Sequence, residues 1–190
     1  MPRRKMAFMP GCYYHLYNRG HNRQAIFFGR ENYLFFLKRF RHYLAEQTLQ
    51  VMAYCLMPNH YHFLVCLRES NLSEQMGLLS LSYTKAINRR LNRCGSLFQG
   101  PFRAILVNEE AYLLHLSRYI HLNPVKAGLV ARAEDWEFSS YPEYVGLRQG
   151  TLPQFEAVRR RVGAEQDYRL FVEAEAGRLE RRWRRLLLDE

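Results

Sequence analysis

The chain is poor in the features that would tie it to a membrane, a secretory route or a disulfide scaffold. Its four cysteines, Cys12, Cys55, Cys66 and Cys94, are scattered, with no CxxC pair. That spacing excludes a zinc knuckle and a disulfide framework, and fits a cytosolic protein with reduced thiols. No apolar run reaches the roughly 18 residues of a membrane span. The basic start, Met1-Pro2-Arg3-Arg4-Lys5, is not followed by the apolar core of a signal peptide. Internal repeats and low-complexity segments are absent. Acidic residues are scarce, 18 against 28 Lys and Arg, for a net charge of +10. Such an excess favours a polyanionic partner, nucleic acid before membrane. Hydrophobic residues at 48% and aromatics at 14% of 190 residues suffice for a packed core. The length suits one compact domain with an appendage, or two very small domains.

The charge is unevenly placed. Residues 1–48 carry a net +7 and residues 49–100 a net +3, whereas 101–155 carry −1 and 156–190 carry +1. The N-terminal half, residues 1–48 above all, is therefore where contact with a nucleic acid is expected. Arg3, Arg4 and Lys5 lie on an arm over residues 1–10 that can follow phosphates or enter a groove. Arg19, His21 and Arg23 fall in a polar loop. Arg89, Arg90 and Arg93 end a helix, where they serve either phosphate binding or the helix dipole. The arginine-rich tail is nearly balanced by acids, so it reads as a salt-bridged, solvated helix or as a second DNA contact.

Periodicity predicts the order β-α-β-β-α-β-α. Residues 11–17 read as a strand and 31–47 as a helix. Residues 49–56 and 60–67 form a hairpin about the turn Met57-Pro58-Asn59. A second helix spans 73–92 and a fourth strand 102–107. The third helix opens at Glu109-Glu110 and ends near Leu122, because Pro124 disfavours helical geometry before it. The expected class is α+β: a ferredoxin-like split β-α-β domain over residues 11–145, with a four-stranded antiparallel sheet and helices on one face. Residues 146–190 read as a linker, 146–153, and a helical C-terminal tail.

Two local patterns carry chemistry. In the strand segment His60-Tyr61-His62 both imidazoles project from one face, where they can share a divalent ion. The same pattern also occurs as two plain surface histidines. In Tyr119-Ile120-His121-Leu122-Asn123-Pro124, Tyr119 and Asn123 lie one helical turn apart on a common face. That arrangement also suits a core tyrosine with a satisfied hydroxyl. As a nucleophile, a phenol is only about 0.1% ionised at pH 7 and is repelled by a phosphodiester. A metal held by His60, His62 and the Asn123 oxygen would offset the repulsion. His115 shares the Tyr119 face as a structural or auxiliary group, and His121 points elsewhere. Tyr13, Tyr17, Phe98 and Phe102 are stacking candidates, though core packing explains each as well.

Met57-Pro58-Asn59-His60-Tyr61-His62-Phe63-Leu64-Val65 resembles the paired-histidine motif of the single-strand tyrosine transposases. Residues 117–130, Ser-Arg-Tyr-Ile-His-Leu-Asn-Pro-Val-Lys-Ala-Gly-Leu-Val, resemble their catalytic-tyrosine segment. Tyr17-Asn18-Arg19-Gly20 with Gln24-Ala25-Ile26-Phe27, Ser96 to Phe102, and Asp167 to Val172 also fit, so the likeness covers roughly residues 10–175. The branch it resembles most is that of the REP-associated tyrosine transposases. The resemblance implies cleavage of single-stranded DNA by Tyr119 through a 5′-phosphotyrosine, with a free 3′-hydroxyl and ATP-independent rejoining. It implies Mg²⁺ or Mn²⁺ on His60 and His62, with Asn123 at the position of a third ligand that is Gln in some relatives. It implies hairpin DNA of short palindromic repeats as partner, with a tetranucleotide read near the cleavage point. A monomer is expected, and a dimer as in the insertion-sequence relatives is the alternative. Arg103 and Lys126 flank the expected site. Competing readings are a non-catalytic hairpin-binding module of the same fold and a relaxase or replication initiator of the same two-histidine chemistry.

Overall fold

The structure, a computed structural model, describes residues 7–174. Arg3, Arg4 and Lys5, expected to contact DNA, and the end of the tail lie outside the described residues. Strand β1 (Tyr13–Arg19) leads through a loop into helix α1 (Arg30–Phe40), which continues as a π turn over Arg41–Ala45. Strands β2 (Leu49–Met57) and β3 (His60–Leu67) form the expected hairpin. Helix α2 (Leu72–Arg90), strand β4 (Arg103–Val107) and helix α3 (Glu110–Lys126) complete the split β-α-β unit. Helices α4 (Tyr141–Tyr144), α5 (Glu156–Val162) and α6 (Glu165–Glu173) follow. The sheet order is β2-β3-β1-β4, with every pair antiparallel.

The sheet is buried on both faces. On one face α1 and α2 bring Phe36, Phe40, Met76 and Tyr83 against Tyr61, Phe63 and Val65. Phe40 stacks on Phe63 with ring centroids 3.9 Å apart. This is the face on which helices were expected. The other face is covered too: Leu116 and Ile120 of α3, Tyr144, Val158, Tyr168 and Val172 pack with Cys55, Met57 and Leu64. Alternation in β2 is interrupted by a register shift between Val51 and Ala53. Leu49 and Val51 face the first core before it, and Tyr54 and Leu56 after it. The shift exchanges the faces of all that follows, as an extra residue in one strand must.

Helix α3 runs one turn further than Pro124 suggests. Proline removes one helical N–H. Here the last turn is closed by other bonds: the Ala127 N–H donates to the Asn123 carbonyl (3.0 Å) and the Leu129 N–H to the Pro124 carbonyl (2.9 Å). Asn123 therefore stays helical, one turn beyond Tyr119. Residues 146–153 also depart from a plain linker. Leu152 and Pro153 are buried, Pro153 bridges Val51 in parallel, and the Gln154 N–H donates to the Val51 carbonyl at 2.7 Å.

Of the two tail helices, α6 docks on α3 through a buried polar knot. His121 places Nδ1 2.8 Å from the Tyr168 hydroxyl and Nε2 2.8 Å from Ser140 Oγ. The Tyr168 hydroxyl donates to Ser117 Oγ at 3.1 Å. Ion pairs of Arg161 with Glu110 and Arg169 with Glu134 tie the outer surface, in keeping with a salt-bridged tail. Removing the Tyr168 hydroxyl strands buried polar partners, at a cost of about 1–3 kcal/mol. Tyr168→Phe is thus expected to lower the urea midpoint at unchanged m-value. A midpoint equal to that of the unsubstituted protein would show that the knot contributes nothing.

Candidate active site

Strand alternation and register build the site. His60 and His62 share the face of β3 that looks toward α3, with ring centroids 5.0 Å apart. In the β1–β3 pairing, Tyr17 lies opposite His62 and Arg19 opposite His60. Helix α3 crosses this face and sets the Tyr119 ring edge-on to His62, centroids 5.5 Å apart. Tyr119 retains 8% exposure. That remainder opens into a cleft of about 490 Å³ lined by Arg19, Arg23, His60, Tyr119 and Asn123, with Met57, Pro58 and Leu129 forming apolar wall. The Lys126 ammonium sits 5.2 Å over the Tyr119 ring.

Both histidines are held neutral. Burial pushes His60 down to about 4; a hydrogen-bonding contact with the Asn123 side chain opposes this, and Arg19 adds to it. His62 is fully buried, and desolvation, then His60 and His15, hold it well below the ordinary range. His62 Nδ1 lies 2.9 Å from His15 Nε2. Its Nε2 is buried with no hydrogen-bond partner. An orphaned ring nitrogen is costly, and ligation of a cation by its lone pair relieves the cost. The Asn123 Nδ2 donates to the Tyr119 carbonyl at 3.3 Å. A carbonyl can only accept, so Nδ2 is the end turned to Tyr119, and the amide oxygen is the end that favours a positive charge at His60. Two neutral imidazoles and one amide oxygen fit Mn²⁺ or Mg²⁺, imidazole making Mn²⁺ the more comfortable. Among the described residues no three His, Cys, Asp or Glu side chains gather for a metal; this set reaches three only through the amide.

The loops at the cleft mouth are latched to β1. The Gly20 N–H donates to the Asn59 carbonyl at 2.8 Å, and the Gln99 N–H to the Arg19 carbonyl at 3.0 Å. Asn18 Nδ2 donates to the Gly100 carbonyl at 3.0 Å, and Arg19 Nε to Gln99 Oε1. A Cβ on Gly20 would stand 2.0 Å from the Gln24 carbonyl oxygen, so only glycine permits this fold of the loop.

The sequence-predicted residues divide accordingly. His60, Tyr119, Asn123, Arg19 and Arg23 line one cleft, with His62 beneath and Lys126 beside it. His21 is exposed in the adjoining loop. Arg103 is exposed on β4, directly opposite Tyr17 of β1. Arg89 and Arg90 end α2 and Arg93 follows it, all outside the cleft lining; Arg90 pairs with Glu31 at 2.5 Å, and Arg93 lies 5.7 Å over the Phe28 ring. His115 faces Phe171, centroids 6.1 Å apart. Two residues escaped sequence reasoning. His15 backs His62, and its one signal was its place in the aromatic first strand. Asn59 contacts His60 Nδ1 at 2.6 Å, and the only hint was its position before the pair.

Fold and site together define a ferredoxin-like α+β domain in which two imidazoles on the sheet confront a phenol on a covering helix. The family profile described as transposase IS200 like matches residues 8–123, more than half of the chain. The chain belongs to that family. A Haemophilus influenzae (strain Rd) protein, provisionally named a REP-associated tyrosine transposase, is 29% identical over 103 residues, which are 48% of this chain and 58% of that protein. The chain thus matches little more than half the length of this relative. A solved structure titled as a REP-associated tyrosine transposase bound to a REP hairpin superposes with a TM-score of 0.66 at 21% identity, covering 83% of this chain and 96% of that one. No helix among the described residues is long and apolar enough to cross a membrane.

Burial lowers His60, His62 and His121 alike, His121 to about 3. In the unfolded chain each titrates near 6.5. Below that pH the unfolded state takes up protons that the folded state refuses. Stability is therefore full above about 6.5 and is lost as pH falls toward 4. With three such groups, urea unfolding in EDTA should show a slope approaching about 4 kcal/mol per pH unit between pH 6 and 5. A slope below that of one proton, about 1.4 kcal/mol per unit, would mean the imidazoles are not desolvated.

Proposed function

We propose that this chain is a metal-dependent endonuclease and strand transferase for single-stranded DNA, acting on hairpins of repetitive palindromic sequence. The observation that carries it is the edge-on contact of Tyr119 with His62 beside His60 in one basic cleft. The family membership and the hairpin-bound protein of the same fold support it.

Tyr119 is the nucleophile. Its hydroxyl oxygen forms a bond to phosphorus as the bond from phosphorus to the 3′-oxygen breaks. The phenolic proton is lost to solvent and the departing 3′-oxygen leaves as a hydroxyl. The 5′-phosphate remains on the tyrosine, so the bond energy is kept and a second 3′-hydroxyl reverses the step without ATP. Arg19 and Arg23 attract the phosphodiester and hold it in the cleft. Lys126, over the Tyr119 ring, adds a third positive charge that attracts the phosphodiester. His60, His62 and the Asn123 oxygen would hold Mg²⁺ or Mn²⁺, which supplies Lewis-acid polarisation and charge neutralisation at the phosphate. The partly apolar cleft suits an unpaired strand, whose bases have faces free to pack on Met57, Pro58 and Leu129.

The reading is tested with a 3′-labelled hairpin carrying single-stranded flanks, incubated with Mn²⁺ and resolved on denaturing gels. The unsubstituted protein is expected to yield a covalent adduct that Tyr119→Phe does not form. His62→Ala should lower cleavage at least ~100-fold, while hairpin affinity in EDTA stays within about three-fold, because phosphate contacts rest on the arginines. An adduct that persists in Tyr119→Phe would remove the nucleophile from this account.

A further inference from the structure

Asn59 stands between the two halves of the cleft, and both ends of its amide are engaged. Its Nδ2 donates to the Arg23 carbonyl at 3.1 Å. Its Oδ1 lies 2.6 Å from His60 Nδ1. The first bond fixes the amide's orientation, since a carbonyl oxygen can only accept. The atom facing His60 is therefore an oxygen, and it too only accepts. His60 Nδ1 must then be the donor, and in a neutral ring the lone pair is left on Nε2. Asn59 thus selects one tautomer of His60, the one whose far nitrogen is able to ligate a cation or accept a proton.

The other end of the amide holds an unfavourable stretch of backbone. Asn22 and Arg23 both have positive φ, 51° and 58°. The left-handed region is costly for a side chain such as arginine, and two such residues in succession need external support. Support comes from the turn at the head of the hairpin. Besides the bond to Arg23, the Ile26 and Phe27 N–H groups donate to the Pro58 carbonyl at 2.8 and 3.1 Å, and the Gly20 N–H donates to the Asn59 carbonyl. Arg23, whose backbone is held in this conformation, lines the cleft.

We propose that Asn59 is a positioning residue that couples the cleft loop, residues 20–25, to the ring orientation and tautomer of His60. One side chain sets both the cation that meets the phosphate and the imidazole that faces the reacting centre. The inference rests on the proposed function for its purpose, but its test needs neither DNA nor turnover.

Two substitutions separate the two ends. Asn59→Ala removes both bonds. Asn59→Asp keeps an acceptor for His60 and removes the donor to Arg23. The metal-free full-length protein is titrated with MnCl₂ by calorimetry, and amide exchange is followed over residues 20–25. Asn59→Ala is expected to weaken Mn²⁺ binding by about 10- to 100-fold, the usual cost of losing a group that orients a ligating histidine. Asn59→Asp should restore the affinity to the original value or better. Exchange over residues 20–25 should quicken in both variants, with far-ultraviolet circular dichroism unchanged. The proposal is overturned if Asn59→Ala binds Mn²⁺ as the unsubstituted protein does, or if Asn59→Asp, folded, fails to rescue. It is equally overturned if loop exchange is unmoved, or if Mn²⁺ binding survives His62→Ala and so lies elsewhere. A protein that passes these tests yet never forms a DNA adduct would sustain the role of Asn59 and refute strand transfer.

Discussion

Everything at the cleft depends on how helix α3 lies across the second face of the sheet. That packing converts a tyrosine with 8% exposure from a core residue into one that shares a surface with two histidines. Leu116 and Ile120 anchor the helix in the apolar layer. His121, Ser117, Tyr168 and Ser140 fix its roll about its own axis. A rotation of the helix by one residue, about 100°, would carry Tyr119 off the histidine face. The tail helices are thus part of the structure that aims the phenol. Their contribution is positional, and it is made from the side of α3 away from the cleft.

The electrostatics follow from burial. Two imidazoles side by side in a dry layer cannot both be charged, so they remain neutral and keep lone pairs available. Positive charge is supplied by Arg19, Arg23 and Lys126, at the surface where solvation is retained. None of the described residues lining the cleft is acidic. An approaching phosphodiester therefore meets only attraction at the rim and neutral donors beneath. Neutral ligands also leave the charge of a bound divalent ion uncompensated by protein, which strengthens its pull on a phosphate.

Much of this was legible in the sequence, because the decisive patterns are local. The i, i+2 rule put His60 and His62 on one face, and the i, i+4 rule did the same for Tyr119 and Asn123. The strand and helix order gave the ferredoxin-like arrangement. What was not legible depended on non-local partners. Pro124 reads as a stop, yet bonds from Ala127 and Leu129 carry the helix past it. Both faces of β2 are apolar, so no polar alternation marks the bulge at Val51 and Ala53 or the second helical layer. Residues 146–153 have the composition of a linker, and only the pairing with Val51 reveals an added edge. His15 and Asn59 act through neighbours brought by β-pairing and a tight turn, and residue type alone does not disclose that.

The central claim is that His60, His62 and Tyr119 surround one cation-binding point. Pulsed electron paramagnetic resonance of the Mn²⁺-loaded protein, prepared with ring-deuterated tyrosine, tests it most directly. Nitrogen modulation from two imidazoles is predicted, together with deuterium modulation that weakens in Tyr119→Phe, the remainder coming from Tyr17 beside His62. A spectrum of Mn²⁺ bound without imidazole nitrogen, or a deuterium signal indifferent to that substitution, would contradict the account.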